Sequence, residues 1–315
     1  FVFALSAITA ALLSNDAAIL LVTPVTLTLL RTVYPRRNPK FLVPFAFAAF
    51  VAAGVAPLPT GNPMNLVVAE RAGIGFNTYA LHMFPVALVG SLVAYFMLAW
   101  CFRRPLADQA PALGAWPAQP PLSPTARTVL AITAASILSY PVLAALDEPL
   151  WIVAAPAALA CVAVTMASGI DLRRINRRIS WELVPFVFGM LVLATALARS
   201  GVADALTTLY ARSPAPVPTV GVIGAAGSAL INNHPMALVH SLALAGAPDR
   251  LVYAALVGGD LGPRLLPIGS LAGLLWLHSL RSAGVPIPLA MFVRVGLLVT
   301  IPSLVASLAV LYFVA

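Results

Sequence analysis

Apolar runs of membrane-spanning length recur along this chain, and they restrict what it can fold into more than any other feature. A helix needs about 20 predominantly apolar residues to cross roughly 30 Å of hydrocarbon. The runs are uniformly rich in Leu, Val and Ala, and they lack the alternation of a barrel strand. With 61% hydrophobic and 9% charged residues, the chain has too little polar surface for a soluble globule, so lipid must solvate it. The sequence therefore predicts an all-α polytopic membrane protein. The clearest spans are Leu81–Phe102, Thr128–Leu146, Leu150–Ala167, Leu183–Ala198 and Ala290–Val314.

The formal net charge of +8 comes from cations that lie between the apolar runs. Cytoplasmic loops of membrane proteins carry an excess of Lys and Arg, so topology explains these clusters better than nucleic-acid binding does. The connection at Asp147-Glu148 has no cation and is expected on the opposite side. The expected cytoplasmic clusters are Arg31, Arg36, Arg37 and Lys40, then Arg103 and Arg104, then Arg173, Arg174, Arg177 and Arg178.

A polar turn joins two short apolar arms at two places in the chain. Ser14-Asn15-Asp16 lies between Phe1–Leu13 and Ala17–Leu30, and Asn232-Asn233-His234-Pro235 follows Val217–Ile231. Each arm is short for a full span, and Ser, Asn and Asp are preferred residues at helix N-caps. We therefore expect two re-entrant helical hairpins whose second arms begin at these turns.

An interrupted span follows each hairpin. Phe41–Pro57 runs into a stretch rich in Pro, Gly and Asn that ends at Asn65, and Leu251–Leu261 runs into a similar stretch that ends at Ser270. Pro removes a backbone donor, and unwound backbone at membrane depth is tolerated only against protein or a wet cavity. Both breaks are therefore expected to face the hairpin tips.

The order hairpin, broken span, plain span occurs twice, which is typical of inverted repeats with a substrate site near the midplane. We expect a first repeat over residues 1–104, a cytoplasmic Pro- and Ala-rich linker over 105–126, and a second repeat over 127–315. The chain begins at Phe1 inside an apolar run, so we expect leading spans of the natural protein to precede it.

The stretch LVYAALVGGDLGPRLLPIGSLAGLLWLHSL at 251–280 closely resembles the bacterial arsenite/antimonite permease family, ArsB. Two further pieces are similar to that family, LLSNDAAILLVTPVTLTLLR at 12–31 and the turn Gly73-Ile74-Gly75-Phe76. The resemblance runs along essentially the whole chain. It implies a member of the ion transporter superfamily, with a scaffold domain and a mobile transport domain that work by an elevator-type movement.

The resemblance implies export of arsenite and antimonite, which at neutral pH are mostly uncharged trihydroxides. Such a ligand needs hydrogen-bond donors and acceptors more than a countercharge, and amides supply both. Neither tip contains an Arg, as a carboxylate site would be expected to, and neither the tips nor the breaks contain a Cys for thiolate capture of As(III). The expected substrate-binding residues are Ser14, Asn15, Asn62, Asn65, Asn232, Asn233, Gly269 and Ser270.

Three titratable residues are candidates for proton coupling, because a midplane acid can carry a proton. Asp16 is the favoured one, and the alternative is that it only caps the second hairpin arm. Asp260 precedes Arg264 by four residues, so a structural helical ion pair is at least as good an explanation. His234 either titrates near neutrality or is a plain hydrogen-bonding group.

The sequence leaves alternatives to arsenite export. Pro63 and His234 depart from the family pattern, which favours a relative that carries another solute by Na⁺/H⁺ exchange or carboxylate transport. An intramembrane enzyme is disfavoured, since Ser14 beside Asp16 is a weak catalytic pair. The sequence shows no nucleotide loop or metal spacing, so no cofactor is expected. The resemblance allows a cytoplasmic ATPase subunit and a homodimer as partners, and it implies a bacterial inner-membrane location.

Overall fold

A computed structural model describes residues 1–34, 39–107, 121–169 and 199–315, together with scattered positions between 170 and 198. Within these residues all regular secondary structure is helical, as the sequence predicts. The first helices are α1 (Val2–Leu12), α2 (Asn15–Val33), α3 (Val43–Ala52), α4 (Pro63–Arg71), α5 (Phe76–Cys101) and the short α6 (Arg103–Ala107). They are followed by α7 (Pro124–Ala145), α8 (Trp151–Ala167), α9 (Val202–Arg212), α10 (Pro216–Ile231), α11 (Asn233–Ala243), α12 (Asp249–Leu261), α13 (Leu271–Ser282) and α14 (Leu289–Val314).

The described helices agree with the predicted spans. Helices α2, α5, α7 and α14 are long and apolar enough to cross a bilayer. Helix α2 is longer than the arm expected over Ala17–Leu30, because the helix starts at Asn15 and continues through Arg31 to Val33. Its 19 residues are enough for a span by length alone. Several predicted features lie outside the described residues, namely most of the span Leu183–Ala198, residues 108–120 of the linker, and the cations Arg36, Arg37, Arg174, Arg177 and Arg178.

The chain divides into two compact units. The smaller unit contains Gly75–Asn77 and Ala118–Gly189. In it α7 and α8 pack against each other across the short turn after α7. Leu138 is 75% exposed and Leu159 is 71% exposed on these helices. Exposed apolar surface of this extent fits lipid contact.

The larger unit contains Phe1–Ile74, Thr78–Pro117 and Met190–Ala315. Both interruptions lie in it, the first between α3 and α4 and the second between α12 and α13. Helix α3 packs on α13, where the rings of Phe50 and Trp276 stack with centroids 4.6 Å apart. Helix α4 packs on α12. The two interrupted helices therefore run past each other in opposite directions, which brings their breaks together.

Helices α10 and α12 meet backbone to backbone in the larger unit. A Cβ added at Gly258 would lie 2.2 Å from the carbonyl oxygen of Gly221, and one at Gly262 would lie 2.4 Å from that of Ala225. Small residues allow helices in membranes to approach this closely. The contact fixes the second hairpin against the second interrupted helix.

Candidate functional site

The four helices that start at the tips and breaks are each capped by a predicted site residue. Ser14 accepts a hydrogen bond from the Ala17 N–H at 3.1 Å, and Ser270 accepts one from the Gly273 N–H at 3.0 Å. The side-chain oxygens of Asn62 and Asn232 accept from the N–H groups of Met64 and His234, each at 3.3 Å. The first turn of a helix leaves backbone N–H groups unpaired, and these side chains satisfy one of them at each start.

Asn232 reaches its position through an unusual backbone conformation. Its φ of 83° and ψ of 148° lie in a region that favours glycine. The side chain holds the residue there, because its Nδ2 also donates to the carbonyl of Ile268 at 3.1 Å. This bond connects the second tip directly to the second break.

The first tip is connected to the first break in a similar way. Asn15 follows the cap residue of α2, and its Nδ2 donates to the carbonyl of Gly54 at 2.9 Å. Gly54 lies just past the end of α3, where the helix has stopped and the carbonyl is free to accept. Each hairpin tip therefore binds an unwound segment through an amide side chain.

The carboxylate of Asp260 joins the two breaks. Oδ2 accepts from the Ala56 N–H and from Asn65 Nδ2, and Oδ1 accepts from Asn62 Nδ2, each at 2.9 Å. Asn65 Nδ2 also lies 3.0 Å from the hydroxyl of Tyr79, which donates to the carbonyl of Ala56 at 3.2 Å. Three donors from the first break thus fix a carboxylate at the end of α12.

Arg264 and Asp260 interact electrostatically, but they are not hydrogen-bonded to each other. The guanidinium is only 3% exposed, and its Nη2 donates to the carbonyl of Val51. Nε and Nη1 have no hydrogen-bond partner among the described residues. The chain enters a 3₁₀ turn at Gly262, so the four-residue spacing no longer places the two side chains on one helical face.

A small cavity of about 20 Å³ lies where the tips and breaks meet inside the larger unit. By this measure a site of 10 to 15 Å³ holds about one water, so a larger ligand requires the walls to move apart. The lining combines both tips and both breaks with apolar neighbours: Asn15, Asp16, Ile19, Phe50, Ala53, Asn62, Asn233, Asp260, Pro263, Arg264 and Ser270.

Asp16 lines the cavity and does not cap α2. Ser14, two residues earlier, provides the cap of α2, and Asp16 lies in the first turn. The Asp16 side chain is partly exposed. It lines the cavity together with Asn15, Asn62 and Asn233.

Five of the other predicted residues lie beside the cavity and not in its described lining. Ser14 and Asn232 act as caps, and Asn65 holds Asp260. Gly269 packs against Pro263, since an added Cβ would lie 2.7 Å from the Pro263 Cα. His234 has its Nδ1 2.9 Å from the Asn233 Oδ1. The sequence interpretation also missed Arg264, although its place between Pro263 and Pro267 in the second break is visible in the sequence.

Comparison with known proteins identifies the family to which this chain belongs. The family model for ArsB, described as arsenical pump membrane protein, matches residues 1–315. The chain belongs to the arsenical pump membrane protein family. It is 32% identical to an arsenical pump membrane protein of Escherichia coli (strain K12) over 98% of this chain and 75% of the relative. It is 31% identical to the protein of that name from Yersinia enterocolitica, with the same coverage of both chains.

A third relative is an uncharacterized transporter of Mycobacterium tuberculosis, 29% identical over 98% of this chain and 74% of the relative. The family resemblance inferred from residues 12–31 and 251–280 is thus confirmed. Together with the long apolar helices, membership in the arsenical pump membrane protein family makes the chain a multi-pass transmembrane transport protein.

Proposed function

We propose that this protein exports arsenite and antimonite as neutral trihydroxides across the bacterial inner membrane. The observation that carries the proposal is the small cavity described above, into which both polar tips and both helix breaks contribute side chains. The names of the relatives add the substrate class, because the Escherichia coli and Yersinia proteins are called arsenical pumps. Asn15, Asn62, Asn233 and Ser270 are the residues we expect to contact substrate.

Transport proceeds by alternating access, in exchange for protons. The hairpins are re-entrant, and together with the interrupted helices they form the mobile part of an inverted-repeat, elevator-type carrier. Since the cavity of about 20 Å³ is small for a trihydroxide, the described conformation is a closed one that must open to take up substrate.

Asp16 carries the proton in this proposal. It is the lining carboxylate without a hydrogen bond to the first break, whereas Asp260 receives three. The three hydrogen bonds of Asp260 tie it to the first break, so protonating it would disturb that contact, whereas Asp16 can gain and lose a proton without breaking one of them. Asp260 therefore positions the breaks, and His234 supports the tip through Asn233.

The proposal is tested with everted membrane vesicles that contain the full-length parent protein. A pH gradient should drive arsenite accumulation without sodium, and Asp16→Asn should abolish it. Asp204→Asn, on the exposed side of α9, is the matched control and should transport normally. Absence of arsenite movement from well-inserted protein would contradict the proposed substrate.

The alternative is a related carrier for another solute. Arg264 in the cavity lining favours a carboxylate over a cation, since guanidinium groups bind carboxylates well. Sodium-dependent transport in the same vesicles would instead favour Na⁺/H⁺ exchange. An ATPase subunit and a homodimer remain partners that the proposal accommodates and does not require.

A further inference from the structure

The guanidinium of Arg264 is a buried cation with spare donors beside the proposed site. The side chain is 3% exposed and lines the small cavity. Its Nη2 is used by the carbonyl of Val51, but Nε and Nη1 have no hydrogen-bond partner among the described residues. An unpaired buried donor is costly, and more so when it is charged. These unpaired N–H groups of a charged guanidinium therefore favour a ligand that presents oxygen.

The nearby acceptors do not meet this need. The Asp260 carboxylate already accepts hydrogen bonds from Ala56, Asn62 and Asn65. The carbonyl of Gly54 already accepts a hydrogen bond from Asn15 Nδ2. The spare donors of Arg264 thus have no acceptor among the described residues, and the Arg264 side chain lines the cavity.

The charges of the lining indicate what the occupant is. One guanidinium and two acidic side chains, Asp16 and Asp260, contribute to the lining. A carboxylate ligand would lie against these two acids, and a bare metal cation cannot accept a hydrogen bond from Arg264. A neutral polyhydroxyl molecule can accept from the guanidinium with one oxygen and donate from another hydroxyl to Asp16.

We propose that Arg264 is a substrate-binding residue whose unpaired Nη1–H donates to an oxygen of a neutral trihydroxide, while a hydroxyl of the same molecule faces Asp16. This rests on the proposed function. It adds that hydrogen bonds fix the orientation of the substrate, and that Arg264 of the second break makes one of them.

The test is equilibrium binding of arsenite to the purified full chain in detergent, with acetate as a competing carboxylate. Arg264→Lys keeps the charge but loses the planar fork, so it should bind arsenite about tenfold more weakly. Gly54→Ala provides a second route, because its added methyl would lie 2.5 Å from Arg264 Nη2 and must displace the guanidinium. Arg250→Gln is the matched control, since Arg250 lies outside the cavity against Tyr312 and should bind as wild type.

The outcomes separate this inference from the proposed function. Weakened binding in folded Arg264→Lys, with no competition by acetate, supports it. Wild-type affinity in that variant overturns it and leaves arsenite transport standing, and effective competition by acetate overturns the choice of a neutral ligand. If Arg264→Lys does not fold, unchanged binding in Gly54→Ala overturns the inference. If the wild-type chain binds neither arsenite nor antimonite, the proposed function fails and this inference with it.

Discussion

Asn62 Nδ2 lies 2.9 Å from Asp260 Oδ1, so an amide in the first helix break is hydrogen-bonded to the carboxylate that ends α12. The two residues are far apart in sequence, and each belongs to a different interrupted helix. This hydrogen bond makes the conformation of each break depend on the other. Movement of one break therefore changes the support of the other.

We expect Asp260→Asn to destabilise the protein by about 1–3 kcal/mol. The carboxylate accepts from both oxygens, so in either orientation the amide NH₂ would face another donor. Thermal unfolding in detergent measures the loss. Asp249→Asn, on the exposed first turn of the same helix, should change stability by no more than about 1 kcal/mol. Equal stability of the two variants would contradict the bridging role of Asp260.

Asn232→Ala should be less stable than Asn232→Gly by about 1–3 kcal/mol. Both variants lose the bonds to the His234 N–H and the Ile268 carbonyl, but only glycine adopts the positive φ of 83° without strain. Chemical unfolding of the two variants side by side gives the difference. If alanine were tolerated as well as glycine, the backbone of the second tip would not have the described conformation.

Gly258→Ala should prevent stable folding or lower stability by at least about 1–3 kcal/mol. Its methyl group would lie 2.2 Å from the backbone oxygen of Gly221, which cannot move aside as a flexible side chain can. The yield of monodisperse protein in detergent is the measurement. Gly75→Ala is the control, because nothing lies within 4 Å of the added carbon there. A well-folded Gly258→Ala protein would show that α10 and α12 are further apart.

Asn15→Ala should abolish arsenite transport while folded protein stays in the membrane. The lost bond to the Gly54 carbonyl costs only about 1 kcal/mol of stability, but it removes a lining amide. Asn77→Ala loses the same type of bond, to the Pro141 carbonyl, away from the cavity and should transport normally. Measuring uptake per amount of inserted protein separates the two effects, and Asn233→Ala should behave like Asn15→Ala. Loss of folding in the tip variants would instead indicate that these amides serve mainly as structural supports.

Most of the fold was accessible from the sequence because it depends on local signals. Apolar length predicted α5, α7, α8 and α14, and polar or Pro-containing interruptions predicted where α2, α4, α11 and α13 begin. Capping chemistry is local too, which explains why Ser14, Asn62, Asn232 and Ser270 all mark helix starts.

The division of roles within the site could not be predicted in the same way. Whether Asp260 binds Arg264 or the first break depends on the contact between two helices distant in sequence. The same holds for Arg264, whose spare donors become visible only when the neighbours of its guanidinium are known. Helix periodicity favoured the four-residue pair, and the two charges do interact, but a 3₁₀ turn begins between them at Gly262 and they are not hydrogen-bonded to each other.

The glycine contact between α10 and α12 provides a reference distance for experiments on the motion of this protein. Spectroscopic probes placed one on each of these helices should keep a nearly constant separation, because backbones in direct contact leave no room for either helix to move closer to the other. The change in distance of any other probe pair can then be compared with the change measured for this pair. Any probe pair whose separation changes then marks a true boundary between moving parts.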